Sequence, residues 1–233
     1  MKPLLYLTGI LFTLTLAAAE KQHSATKPVP RGGGWTKRHE SFNKRVAKGE
    51  CDLIFIGDSI TQGWEGRGKN VWAKFYGKRN AVNLGIGGDR TQHVIWRLDN
   101  GNLKNIAPKA AVIMIGTNNA GANTSQQIAD GVEAIVKQLR NKTPKTQILI
   151  LAVFPRGSNP ADKRRKVNEG ANAIFKKLAD GKHVHYLDIG PKFLETDGTL
   201  TRKIMPDLLH LSQAGYTIWA ESIEGKLKEL MGE

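Results

Sequence analysis

The sequence predicts an α/β protein built on a doubly wound parallel sheet of about five strands. Three observations carry this. Apolar runs of strand length alternate with segments of helical periodicity along most of the chain. Three of those runs are near-continuous in apolar residues, as strands covered on both faces require. No internal repeat breaks the order, and such an alternation puts helices on both faces of one sheet.

The elements follow in order. Residues 1–22, "MKPLLYLTGILFTLTLAAAEKQ", carry a lysine, an apolar run and then Ala17-Ala18-Ala19. This is the pattern of a secretory signal peptide spanning 1–19, which makes the protein secreted or periplasmic. The apolar run is short for a membrane span, which needs about 20 residues; an uncleaved anchor is the alternative. Residues 20–34, "EKQHSATKPVPRGGG", are polar, with two prolines and a glycine triplet, and predict a flexible linker. Residues 35–233 then form one domain. They open on a helix with Trp35, His39, Phe42 and Val46 at helical spacing and Gly49 as its stop.

Strands are predicted at 52–57, 81–86, 110–116, 147–154 and 183–189. Between and after them, helices are predicted at 91–101, 125–141, 163–181 and 212–230, the last with Ser212 as its N-cap. The 233 residues, 40% hydrophobic and 24% charged, suit one domain with a substantial core. Cys51 is the only cysteine, so no intrachain disulfide forms, and a small buried residue at a strand start is its expected role.

The net charge of +14 favours anionic partners. Yet the densest run, Lys163 to Lys166, opens a helix and reads as a solvated face. No zinc-finger spacing, recognition-helix pattern or stacked-aromatic motif is present, so no nucleic-acid partner is expected.

In doubly wound sheets, ligands sit beyond the carboxyl ends of the strands. There the first strand delivers Gly57-Asp58-Ser59, the second Gly85 to Thr91 and the third Gly116 to Asn119; the last connection delivers Pro206 to Ser212. Four polar or glycine-rich clusters at one end outweigh the reading of "GDS" as a mere turn. Serine needs a base to become a nucleophile, usually a histidine steered by a carboxylate. Of six histidines, His210 alone stands in such a connection, with Asp207 three residues before it. The developing oxyanion needs fixed donors. The backbone N–H of Gly88, the amide of Ser59 and the side chain of Asn118 are the candidates.

Other chemistries fit less well. "GIGGDR" has Arg90 where a dinucleotide fingerprint needs its third glycine, and neither a phosphate loop nor a G-x-S-x-G elbow occurs. Asp207 and His210 lack further metal ligands at suitable spacing. No metal and no cofactor is expected.

The blocks "FIGDSIT", "NLGIGGDRT", "IGTNN" and "DLLH" resemble the four blocks of the SGNH/GDSL hydrolases. The long stretch from Asn83 to Asn119, with "VFPRG" and "DLLHLSQAGY", is similar to the catalytic subunits of platelet-activating-factor acetylhydrolases and their bacterial relatives. The resemblance implies a flavodoxin-like three-layer α/β/α sandwich, no metal, and homodimers. It implies Ser59 as nucleophile, His210 as base, Asp207 as orienting acid, and Gly88 and Asn118 as oxyanion donors with the Ser59 amide. Pro206 departs from the family pattern. Ile60, Thr117 and Leu209 each adjoin one of these residues and are expected to wall an acyl pocket.

The function expected is an exported esterase cleaving short, acetyl-type esters on a small molecule or a glycan. Trp64 is placed either to stack on sugar or to be buried. A lipid acetylhydrolase and a non-catalytic glycan-binding module are the alternatives.

Overall fold

Five parallel strands form a sheet in the order β2-β1-β3-β4-β5. They are β1 Leu53–Gly57, β2 Ala81–Gly85, β3 Ala110–Met114, β4 Gln147–Leu151 and β5 Val184–Leu187. The computed structural model of the chain describes residues 23–233; the expected signal peptide at 1–19 lies outside the described residues. β1 lies between β2 and β3, with Gly57 beside both Gly85 and Met114. The chain therefore winds outward to β2 and then back across β1 to β3. The resulting switch point lies at the carboxyl ends of β1 and β3, where such sheets open a crevice.

The period-two alternation of each strand divides the core into two layers. Ile54, Ile56, Val82, Leu84, Ile113 and Ile150 face one layer. That layer is covered by α1 (Gly34–Val46), α4 (Thr91–Arg97), α5 (Ser125–Lys142) and α6 (Lys163–Phe175). Phe55, Val112, Met114 and Leu151 face the other, under α3 (Lys69–Tyr76) and α7 (Gln213–Met231). Helices cover both faces, as the pattern predicts.

Local chemistry fixes the helix starts. Thr124 and Gln127 cap α5 reciprocally, each side chain accepting from the other's amide at 3.2 and 3.3 Å. Asp162 accepts from Arg165 N–H at 2.8 Å to open α6. Ser212 accepts from Gly215 N–H at 3.2 Å to open α7, as its sequence position predicts.

Two helices have no counterpart in the sequence reading: α3 and the four-residue α2, Ser59–Gln62. α3 buries Val71 and Tyr76. Its lysines and aromatics, and the glycines that flank it, hide the helical period.

The stretch expected to be a flexible linker is laid against the domain where it is described. Ala25 is buried, and its carbonyl accepts from Thr91 Oγ1 at 2.7 Å. His23 Nε2 reaches Asp130 at 2.9 Å, and Arg31 donates to the Gly87 carbonyl at 2.8 Å. Polar side chains that suggested a solvated linker, His23 and Arg31, make two of these contacts, and a backbone carbonyl makes the third.

Candidate active site

Gly57 ends β1 because nothing larger fits: a Cβ there would stand 2.5 Å from the Met114 carbonyl. The chain then turns directly into α2. Asp58 caps that helix, its Oδ1 accepting from Ile60 N–H at 2.9 Å. Burial pushes the Asp58 carboxyl up to about 7, the Ile60 N–H working against the shift. Ser59 is thus the first residue of a helix at the mouth of the sheet. Tyr216 of α7 braces the turn, donating its hydroxyl to the Ile60 carbonyl at 2.7 Å.

His210 meets this serine from the other end of the chain. Ser59 Oγ lies 2.8 Å from His210 Nε2. His210 Nδ1 lies 2.7 Å from Asp207 Oδ2. An ionised carboxylate only accepts, so Nδ1 carries the proton and Nε2 is left to accept from the serine hydroxyl. The other Asp207 oxygen accepts from the amides of Leu209 and His210 at 3.2 and 2.7 Å, which folds the loop back on itself. Partial burial works against the Asp207 charge. The hydrogen bonds from the His210 ring, its amide and Leu209 outweigh it and hold the carboxyl at about 2.

The loop is anchored on both sides. The Leu208 carbonyl accepts from Gly157 N–H at 3.0 Å, and Ser212 N–H donates to Ile204 at 2.8 Å. Pro206, the departure from pattern, leaves the turn intact; its carbonyl accepts from Arg202 at 2.7 Å.

Gly88 and Asn118, two of the three candidate oxyanion donors, line one cavity. Gly88 takes φ +76°, which a side chain would resist, and that turns the loop after β2. The Gly87 amide donates to Gln62 Oε1 at 2.7 Å, tying this loop to α2. The amides of Gly88 and Ser59 have no hydrogen-bond acceptor among the described residues. Asn118 Nδ2 donates to the Asp89 carbonyl at 2.9 Å and lies 3.4 Å from Asp58 Oδ2. Such an arrangement can stabilise negative charge on an oxygen that sits over Ser59.

Residues 55–218 match the model of the GDSL-like lipase/acylhydrolase family. The chain belongs to that family. Platelet-activating factor acetylhydrolase IB subunit alpha1 from Homo sapiens is 37% identical over 221 residues, which cover 91% of this chain and 93% of that protein. Two solved structures share the fold. A GDSL-like lipase from Bacteroides thetaiotaomicron superposes with a TM-score of 0.64 at 18% identity, covering 83% of this chain and 97% of that one. A carbohydrate acetylesterase family member from Sinorhizobium meliloti gives a TM-score of 0.61 at 15% identity, covering 78% and 99%. This GDSL-like chain is an ester hydrolase.

The hydrolase has a charged support under its site that the sequence reading did not find. Asp89 is wholly buried beneath Gly88. Its Oδ1 accepts from Trp35 Nε1 at 2.6 Å, and its Oδ2 from Arg97 Nε at 2.8 Å. Arg97, also wholly buried, donates further to Asn102 Oδ1 at 2.8 Å and to the Gly57 carbonyl at 3.3 Å. One guanidinium thus links the end of β1 to the glycine loop. Removing it would strip Asp89 of its one wholly buried cation, leaving it only the half-exposed Arg31 at 3.3 Å and the Trp35 N–H. Arg97→Leu is expected to cost about 3–5 kcal/mol in urea unfolding; a loss below about 1 kcal/mol would show that the pair is not the support described.

The remaining predicted residues are divided. Thr117 and Leu209 line a cavity of about 380 Å³ with Gly88 and Asn118. Ile60 does not line that cavity; it is buried in the layer under α7. Trp64 is 1% exposed and packs on Tyr216 and Trp219, with ring centroids at 4.5 and 5.0 Å, so it is unavailable to a sugar. His39 stacks on Trp35, and His93 Nδ1 accepts from Arg90 N–H at 2.9 Å.

Proposed function

We propose that this hydrolase cleaves short-chain esters, acetyl esters foremost, with Ser59 as nucleophile, His210 as general base and Asp207 as the acid that orients it. The observation that carries the reading is the unbroken chain of contacts from Ser59 Oγ to His210 Nε2, 2.8 Å, and from His210 Nδ1 to Asp207, 2.7 Å. His210 takes the serine proton as Ser59 Oγ attacks the ester carbonyl. The Gly88 and Ser59 amides and Asn118 Nδ2 receive the oxyanion. The imidazolium then gives its proton to the leaving alcohol. Water, deprotonated by the same imidazole, releases the acid and restores the serine.

A small acyl group is supported by the names of the relatives, an acetylhydrolase subunit and a carbohydrate acetylesterase family member. The expected signal peptide and the basic composition favour an acetylated glycan as substrate. The 37% identity to a platelet-activating factor acetylhydrolase subunit favours a lipid ester as the second reading. Homodimer formation is proposed on the same likeness. The expected signal peptide places the work outside the cytoplasm.

A p-nitrophenyl ester series tests the acyl preference. Acetate should exceed octanoate in kcat/KM by about a hundredfold, since each methylene that finds no pocket forfeits its share of roughly 1–3 kcal/mol. Faster turnover of the octanoate would overturn the short-chain reading.

A further inference from the structure

The cavity lined by the candidate donors Gly88 and Asn118, and by Leu209 next to His210, carries three arginines, Arg90, Arg156 and Arg164, and no acid. They come from three separate places: the loop after β2, the loop after β4 and the first turn of α6. Nothing local in the sequence forces them together.

Five arginines elsewhere, Arg31, Arg38, Arg79, Arg97 and Arg165, each hold a carboxylate within 4 Å. Among the described residues, Arg45, Arg67, Arg140 and Arg202 hold none, and neither do Arg90, Arg156 and Arg164; what sets the last three apart is that they share one cavity wall. Arg156 spends one nitrogen on Thr117, 3.3 Å from its carbonyl and 3.1 Å from its hydroxyl. Burial and the neighbouring Arg164 both work against its charge. Asp162 and Asp58 act on it favourably from beyond ion-pair distance, but each is already engaged, with Arg165 N–H and Ile60 N–H. Converging like charges on one concave wall cost energy unless a ligand neutralises them, and a neutral acetyl ester makes no use of them.

We propose that the substrate carries an anionic group, a carboxylate or a phosphate, on the alcohol side of its ester, and that Arg90, Arg156 and Arg164 hold it while Ser59 attacks. The proposal rests on the esterase reading and narrows it. Guanidinium groups suit such anions because their paired N–H donors match two oxygens at once. Both anions offer the same chemistry to the site, and the substrate arms of the test distinguish them.

The test compares three acetylated sugars: a neutral methyl glucoside, a methyl glucuronide and glucose 6-phosphate. In the wild type, one anionic sugar should exceed the neutral one in kcat/KM by about tenfold or more. The arm that wins names the anion. In the Arg90→Gln/Arg164→Gln double variant that ratio should fall toward one, and being a ratio it is insensitive to partial loss of folded protein. Equal turnover of all three by the wild type, or a ratio unchanged in the double variant, would overturn the proposal.

Binding keeps the two readings apart. If no acetylated compound is turned over faster than by Ser59→Ala, the esterase reading falls. The anion site is then decided by titrating Ser59→Ala with methyl glucuronide and with inorganic phosphate. Saturable binding that the two glutamines abolish supports the site, and no saturable binding removes it.

Discussion

Ser59→Ala is expected to lower kcat/KM for p-nitrophenyl acetate by about 10⁵–10⁶, leaving only the slow catalysis that donors and binding supply without a nucleophile. The loss should be confined to chemistry. The Ser59 side chain is partly exposed, its one side-chain contact is with His210, and the turn is held by Asp58, Tyr216 and Gly57 rather than by the hydroxyl. The urea midpoint should therefore barely move. His210→Ala should cost about as much as Ser59→Ala, and the double variant little more than either, because the two act as one unit. Full activity in Ser59→Ala would dismiss Ser59 as the nucleophile; equal, background-level turnover by wild type and variant would return the chain to the glycan-binding alternative.

Asp207→Asn should lower kcat by about 10³–10⁴, less than loss of the serine, since an imidazole in the wrong tautomer keeps some function. Asparagine preserves size but can present an N–H to Nδ1, which turns the ring's lone pair away from Ser59. The pH dependence separates this from a simple charge effect. The Asp207 carboxyl is held at about 2, below its ordinary range, so the stability it contributes is complete above that range and is lost as pH falls through about 2. An acid limb of the rate near neutrality is therefore not its own. A variant that retained wild-type kcat would show that His210 is oriented by the loop alone.

Much of this was written locally in the sequence. The five strands are legible because Leu53–Gly57 and Ala110–Met114 are unbroken apolar runs closed by polar or glycine-rich turns. The Ser59, Asp207 and His210 contacts are legible because each residue sits at a strand end or just before a helix cap, where the chain must turn. What escaped is set by tertiary contact. Arg97 reads as one more cation on a helix until Asp89 and Gly57 are placed beside it. Trp64 could serve either surface or core until Tyr216 and Trp219 close over it. Arg90 lies far in sequence from Arg156 and Arg164, so no spacing rule gathers the three. The segment around Ala25 has the composition of a tether, yet its backbone carbonyl, which composition does not report, finds Thr91.

That segment has a consequence for how the molecule is made. Arg31 is made before the Gly87 carbonyl it holds, and His23 and Ser24 about a hundred residues before the Asp130 and Asn123 that hold them. A stretch made well before its partners is thus among the last that can dock. Trimming by a protease past Arg31 would loosen the corner that carries Gly88 without touching either the serine or the histidine.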